Sequence, residues 1–232
     1  MNLLTLVRQT CLELGITAPL QVATSQDPGV LQMYALINRL GSDLSRRFVW
    51  QELDKEYLLT TVIGQAGYDL PSDWLRQIEN TEWDRTNRWP LNGPKSAQEW
   101  QNFKSGIVYA GPRLRFRIQA NQIVLNPTPT SVATLSMEYM SKNWVVAADS
   151  STKDQFTLDS DSCVFDDSLM IEGLKMRWNK AKGFAFDDST YNELLAINQA
   201  QNKSAPILSL GQNTGSVLLT NANIPDGNWP GA

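Results

Sequence analysis

Carboxylates are the side chains in this sequence that come closest to offering chemistry. Eight of them fall between positions 52 and 84, namely Glu52, Asp54, Glu56, Asp69, Asp73, Glu79, Glu82 and Asp84. A pair of such groups can hydrolyse a glycosidic bond, one as the acid and one as the base or nucleophile. Nothing in their spacing singles out a pair, and carboxylates at turns and strand edges are usually surface charges. A peptidoglycan hydrolase therefore stays an alternative, and no catalytic residue is assigned.

A second group of acids resembles part of a calcium loop, which takes oxygen ligands at alternate positions. Its members are Asp159, Asp161, Asp166 and Asp167. However, Cys163 stands at the third ligand position, Val164 replaces the required glycine, and Met170 replaces the ligating glutamate. The chain also contains no histidine, the commonest general base and metal ligand. We therefore predict neither a metal nor a cofactor, and interpret these acids as loop residues and helix caps.

Three arginines, Arg113, Arg115 and Arg117, alternate with Leu114, Phe116 and Ile118. On a strand, this alternation places the arginines on one face and the apolar side chains on the other. The basic face could contact a phosphate backbone, so a small nucleic-acid-binding module is a further alternative. The chain as a whole carries a net charge of -4, which disfavours general DNA binding. We therefore predict that the three arginines form a subunit contact.

Composition limits the class of protein. The chain has 232 residues, of which 42% are hydrophobic and 19% are charged, as in ordinary globular proteins. It has no run of about 18 uncharged apolar residues, so no membrane span is predicted. Cys11 and Cys163 lack the spacing of a zinc or disulfide motif, which predicts reduced thiols. Arg8 and Glu13 interrupt the apolar residues 1–15 and no small-residue cleavage site follows, so no signal peptide is predicted and we expect folding in a cytoplasm.

The pattern of elements predicts an α+β fold. Apolar residues at helical spacing predict helices over 2–14 and 28–48, and again between 166 and 203. The intervening sequence predicts strands, including a hairpin between 56–63 and 68–70, another between 113–119 and 123–125, and a strand at 133–140. We expect one helical bundle of N- and C-terminal helices with a small antiparallel β subdomain. The expected segments are 1–50 and 166–203 (bundle), 51–145 (β subdomain), 146–165 (exposed loop insertion) and 204–232 (extended C-terminal arm).

The C-terminal arm, residues 204–232, has one charged side chain, Asp226, but many apolar ones. These are Ile207, Leu208, Leu210, Val217, Leu218, Leu219, Ile224 and Trp229. Disordered tails are normally charged and poor in such residues, so this arm should cover a surface. Fully extended, it could reach roughly 95 Å at about 3.3 Å per residue, which allows docking on a neighbouring chain. Folding back onto its own sheet, or fraying, is the alternative.

Two stretches carry a resemblance to a known family. They are FVWQELDKEYLLTTVIGQAGYDLPSDWLR at 48–76 and FRIQANQIVLNPTPTS at 116–131. Each contains a strand and a tight turn, followed by Tyr-Asp-Leu-Pro in the first and by Pro-x-Pro in the second. The chain resembles the head-to-tail adaptor (connector) proteins of tailed bacteriophages, including the tail accessory factors of short-tailed phages.

The resemblance implies a structural virion protein without catalysis. It implies a ring, of twelve subunits in the family, beneath the portal protein at the head-to-tail interface, with assembly in the host cytoplasm. The ring would offer a platform to a tail or nozzle protein, and DNA would pass through its channel without sequence-specific binding. The resemblance also implies that the arm docks on the portal. A virion-associated hydrolase and a nucleic-acid-binding module remain the alternatives.

Overall fold

The computed structural model describes residues 1–105 and 113–202 of the chain. Their contacts divide the chain into two compact units. The first, here called the helical unit, contains residues 1–55 and the described residues from 140 onward. The second, here called the sheet unit, consists of the described residues within 56–139. The sheet unit is therefore inserted in sequence between two parts of the helical unit.

Five α-helices lie in the described residues: α1 (Leu3–Glu13), α2 (Pro28–Arg47), α3 (Ala97–Ser105), α4 (Asp167–Lys182) and α5 (Ser189–Gln201). Within the helical unit, α4 contacts α1, α2 and α5. Glycine allows one close approach, because a Cβ atom at Gly173 of α4 would come within 2.7 Å of Leu40 of α2. Helix α4 is thus the element around which the other three helices pack.

Capping residues set where these helices begin and end. The Asp27 carboxylate accepts a hydrogen bond from the Gly29 N–H at 2.7 Å, and Pro28 occupies the first turn of α2. Asp166 caps α4 in the same way, accepting from the Leu169 N–H at 2.9 Å. Helix α4 ends at Lys182 and is capped by Gly183, whose φ of +77° is a left-handed conformation that glycine adopts without strain.

A three-stranded sheet completes the helical unit. It contains β9 (Val145–Val146), β10 (Thr152–Lys153) and β11 (Ser162–Cys163), in the order β10-β9-β11. The composition of this region predicts an exposed loop, yet the side chains of Phe156 and Asp161 are fully buried. The segment therefore contributes to the core as well as to the surface.

Asp161 organises this segment. Its buried carboxylate accepts hydrogen bonds from the N–H groups of Thr157 and Leu158 at 2.8 and 2.9 Å, and from the Lys153 ammonium at 3.2 Å. Its backbone carbonyl accepts from the Leu3 N–H at 2.8 Å. The backbone bond to Leu3 attaches the loop to the first turn of α1. Asp161 can be buried because its carboxylate forms its hydrogen bonds within the chain.

The sheet unit contains most of two antiparallel sheets. One has five strands, β1 (Asp54–Thr60), β3 (Trp74–Gln77), β4 (Trp83–Asp84), β5 (Trp89–Pro90) and β8 (Thr134–Ser141), in the order β1-β8-β4-β5 with β3 also on β8. The other has three, β2 (Gly67–Asp69), β6 (Arg115–Gln119) and β7 (Gln122–Asn126), in the order β2-β7-β6. Buried side chains from both sheets and from residues flanking their strands form a core: Leu59, Tyr68, Leu70, Leu91, Phe116, Ile123, Leu125, Ala133, Leu135 and Met137.

The expected fold class, a helical bundle with a small β subdomain, is wrong. The described residues contain eleven strands in three antiparallel sheets, the largest of five strands. The predicted hairpin between 56–63 and 68–70 is also wrong, because β1 pairs with β8 and β2 pairs with β7. The number of strands was underestimated because several have only two residues, too few to show an alternating pattern. The pairing was wrong because it depends on partners distant in sequence.

Within the part of the chain that the structure describes, none of the helices combines the length and apolar character needed to cross a membrane.

Candidate functional site

Two loops meet at one end of the sheet unit, and both come from the stretches that carry the family resemblance. The Gly64 N–H donates to the Pro129 carbonyl at 3.0 Å, and the Thr61 N–H donates to the Ala133 carbonyl at 2.8 Å. The Thr61 hydroxyl also donates to the Ser131 carbonyl at 3.1 Å. These bonds join the turn at 62–66 to the loop at 127–131, which are more than 60 positions apart in sequence.

Tyr68 holds the first of these loops in shape. Its hydroxyl accepts a hydrogen bond from the Val62 N–H at 2.8 Å and lies 2.9 Å from the Gln65 carbonyl, to which it can donate. Tyr68 is only 5% exposed and belongs to the core of the sheet unit. Because one buried side chain binds both ends of the turn, the turn is anchored to the core.

The anchored loops present apolar side chains to solvent. Val62 is 52% exposed, Ile63 is 64% exposed and Val132 is 59% exposed. Val132 lies between the two residues that bond to Thr61, and Val62 and Ile63 directly follow Thr61, so the three residues are neighbours in space and are here called the apolar tip. Apolar residues that are exposed side by side, rather than scattered singly, mark protein–protein contacts. The apolar tip is therefore a candidate docking surface.

A recess of about 170 Å³ lies beside the apolar tip. It is lined by Asn87, Leu114, Ala133 and the loop at 127–131. Pockets that hold cofactors or drug-sized ligands measure about 300–1,000 Å³, so this recess has room for a side chain of a partner rather than for a cofactor.

The three arginines singled out by the sequence do not share one environment. Arg115 on β6 is 2% exposed, and its guanidinium lies 4.5 Å from the centroid of the Phe103 ring. Arg113, which precedes β6, and Arg117 are half-buried. The guanidinium of Arg115 is therefore occupied inside the chain, and the predicted subunit contact depends on Arg113 and Arg117.

Several of the carboxylates considered for hydrolysis have structural partners. Asp73 accepts a hydrogen bond from the Tyr139 hydroxyl at 2.9 Å, and burial, with this bond as a smaller cause, raises the pKa of Tyr139. The remaining engaged pairs are Glu56 with Arg85, Asp69 with Gln122, and Asp84 with Asn87. Glu82 is 6% exposed, and burial raises the pKa of its carboxyl. These contacts give Asp73, Glu56, Asp69 and Asp84 structural roles within the sheet unit.

A polar cleft of about 410 Å³ lies in the helical unit. Its lining includes the first residue, the start of α4 and the end of α5, and the Met1 ammonium lies 2.7 Å from the Asp167 carboxylate. Cys163 also lines it, and burial raises the pKa of this thiol to about 12. Among the residues of known position, no three His, Cys, Asp or Glu side chains are arranged to hold a metal ion.

The eight apolar residues of the C-terminal arm lie outside the described residues. Conversely, the structure identifies Val62, Ile63 and Val132, which the sequence reasoning passed over. The sequence did contain a signal for this exposed surface: two apolar residues stand immediately before Gly64, at a predicted turn where polar residues are usual.

Comparison with known proteins identifies a family whose model covers most of the chain. A search of curated proteins finds no match. The family model described as SU10 adaptor protein matches residues 1–215, which include both units and both resemblance stretches. This confirms the resemblance to phage adaptors, proteins of the virion that contact other head and tail components. The match spans most of the sequence, and the chain therefore belongs to the SU10 adaptor protein family.

Proposed function

We propose that the chain is a subunit of a head-to-tail adaptor ring, with twelve copies seated beneath the portal protein. The ring provides the platform for tail or nozzle components, and DNA passes through its central channel. The observation that supports this proposal is the family match over residues 1–215, which is too extensive to reflect one shared motif. An adaptor works by contacts between surfaces, so the proposed role needs docking sites and no catalysis.

The proposed portal contact is the C-terminal arm, residues 204–232. Its support is its composition: apolar side chains at Ile207, Leu208, Leu210, Val217, Leu218, Leu219, Ile224 and Trp229 against the single charge of Asp226. An extended segment can add to a partner through main-chain hydrogen bonds and apolar pockets, which require few charges. We infer that the arm becomes ordered only on the portal.

Asn202, which lies just before the arm in sequence, is hydrogen-bonded within the helical unit. The Asn202 side chain accepts a hydrogen bond from the Gln51 N–H at 3.0 Å and donates to the Asn198 carbonyl at 3.1 Å. Asn202 is 8% exposed and directly follows α5. Because the last described residue is anchored, a docked arm would transmit its attachment directly to the helices.

The apolar tip supports the second contact of an adaptor, to a tail component. Val62, Ile63 and Val132 expose apolar area on loops that Tyr68 and Thr61 hold rigid. A preorganised surface loses little entropy on binding. Charged substitution at Ile63 should therefore weaken tail attachment and leave portal binding unchanged. The same substitution at Leu58, which is 53% exposed on β1, is the matched control.

The arm is tested by deletion. A chain lacking 204–232 should fold, because its described core is retained, but it should no longer sediment with portal protein. A second variant keeps the full chain length but replaces the eight apolar residues of the arm by serine. It should lose portal binding as the deletion does. Undiminished portal binding by either variant would reject the arm as the portal contact.

A further inference from the structure

One face of α2 is basic. Arg39, Arg46 and Arg47 are exposed, and the Arg39 side chain retains 77% of its accessible surface. Positions 39, 43, 46 and 47 are separated by the four-, seven- and eight-residue steps that place side chains on one side of a helix. The only acid among them is Asp43. The C-terminal half of α2 therefore presents an arginine stripe.

Helices α4 and α5 extend this stripe. The Arg177 guanidinium lies 2.7 Å from the Asp43 carboxylate. Farther along α4, the Lys180 ammonium lies 3.8 Å from the Asp188 carboxylate, which precedes α5. The Arg47 guanidinium lies 5.9 Å from the centroid of the Tyr191 ring on α5. We call these five cations the basic patch: Arg39, Arg46, Arg47, Arg177 and Lys180.

The basic patch contrasts with the rest of the helical unit. The described residues of that unit carry eleven Lys and Arg against fifteen Asp and Glu. The patch holds five of these cations and two of the acids, Asp43 and Asp188. The remainder has six cations and thirteen acids, an excess of seven negative charges. Two free copies repel each other at long range, because each chain carries a net charge of -4.

The ion pairs at the edge of the patch are loose. Arg39 lies 4.0 Å from Asp43, and Lys180 lies 3.8 Å from Asp188, with both cations more than half exposed. Exposed pairs of this kind contribute about 0–1 kcal/mol, so exchanging them for other acids costs little. Arginine is also enriched at protein interfaces, since its planar donors bind carboxylates in pairs.

We propose that the basic patch binds exposed carboxylates, outside the patch, on the helical unit of a second copy of this chain. The inference rests on the proposed ring and names one of its subunit contacts. Two different faces of the same chain meet in such a contact, and a head-to-tail arrangement of this kind closes into a ring when the rotation between copies allows it. The patch supplies the local attraction that copies of like net charge require.

The test compares assembly of full-length variants by native mass measurement, alone and with portal protein, at low and high salt. Arg39→Glu combined with Arg46→Glu reverses two exposed charges of the patch. Arg88→Glu combined with Lys104→Glu makes the same change in net charge at exposed positions of the sheet unit. The patch variant should lose about tenfold or more in association constant, and the control should assemble like the wild type. Wild-type assembly should weaken with salt.

The outcomes separate the patch from the ring. Normal ring assembly by the patch variant would overturn the patch contact and leave the proposed ring standing. A wild-type chain that stays monomeric even with portal protein would overturn the ring and the patch contact together. If the patch variant assembles normally but loses binding to duplex DNA, the patch binds DNA phosphates, and the proposed subunit contact is overturned. Thermal unfolding of all variants establishes that each is folded.

Discussion

The indole ring of Trp144 lies directly against the backbone of Gly41. A Cβ atom placed on Gly41 would come within 2.2 Å of the ring carbons Cη2 and Cζ2. Trp144 has no exposed surface, and its ring meets the Phe156 ring edge to face at 5.0 Å between centroids. Glycine at position 41 is therefore required by packing, in the middle of a helix where glycine is otherwise unfavourable.

Gly41→Ala should destabilise the helical unit. The clash forces a buried aromatic ring to move, and overpacking of this kind costs about 1–3 kcal/mol. Alanine gains about 1 kcal/mol in helix propensity, so the expected net loss is up to about 2 kcal/mol. Urea unfolding measures the change. The control is Gly29→Ala in the same helix, where the nearest atom would be the Asp27 Oδ1 at 3.1 Å. Equal losses of stability in both variants would contradict the role of Trp144.

Tyr68→Phe should loosen the turn at 62–66. The substitution removes the hydroxyl that binds Val62 and Gln65 and leaves the buried ring in place. We expect a loss of about 1–2 kcal/mol and faster amide exchange in the turn. Hydrogen exchange followed by mass spectrometry reports both. Tyr57→Phe is the matched control, since it removes a hydroxyl that donates only to the Asp69 carbonyl. Unchanged exchange at 62–66 would show that Tyr68 does not anchor the turn.

Asp161→Asn should destabilise the helical unit and change its response to acid. Burial opposes ionisation of this carboxyl, but hydrogen bonds from Thr157, Leu158 and Lys153 outweigh it and hold the pKa below the ordinary value of 3.8. A lowered folded-state pKa stabilises the fold above the unfolded pKa, and that stability disappears as pH falls through the lower value. Wild-type stability should therefore decline below about pH 4.

The measurement for Asp161 is urea unfolding at several pH values. The asparagine variant should be less stable near neutral pH by about 2–4 kcal/mol, because a buried acceptor of several hydrogen bonds loses its charge. The difference between the two proteins should narrow in acid. Asp154→Asn changes an exposed carboxylate of the same segment and should have little effect. A difference between wild type and Asp161→Asn that does not depend on pH would contradict this account.

Both thiols should resist alkylation in the folded chain. Burial raises the pKa of Cys11, and partial burial with the nearby Asp167 carboxylate raises that of Cys163 to about 12, so almost no thiolate exists at neutral pH. Iodoacetamide should label them slowly until urea unfolds the protein. A cysteine introduced at the exposed Ala35 provides the reference rate. Rapid labelling of either native thiol, at the rate of the introduced one, would be inconsistent with this burial.

Local patterns in the sequence predicted the features that depend on neighbouring residues. Helix α2 begins at Asp27 and Pro28 as expected, since capping and proline geometry are properties of a few adjacent positions. The turn between β6 and β7 also lies where it was predicted, with positive φ at Ala120 and Asn121. The family resemblance depends on short motifs of the same kind, and the family match confirms it.

Only the tertiary structure decided which distant residues meet. The β-branched and apolar composition of 56–63 predicted a strand, and the turn after it predicted pairing with 68–70, whereas β1 pairs with β8, about 80 positions away. Likewise, alternation predicted that Arg113, Arg115 and Arg117 share one face of a strand. In the structure Arg115 is buried against Phe103, whereas Arg113 and Arg117 are half-buried. Strand pairing and burial depend on the total free energy of long-range contacts, and periodicity within one segment reports only which side chains share a face.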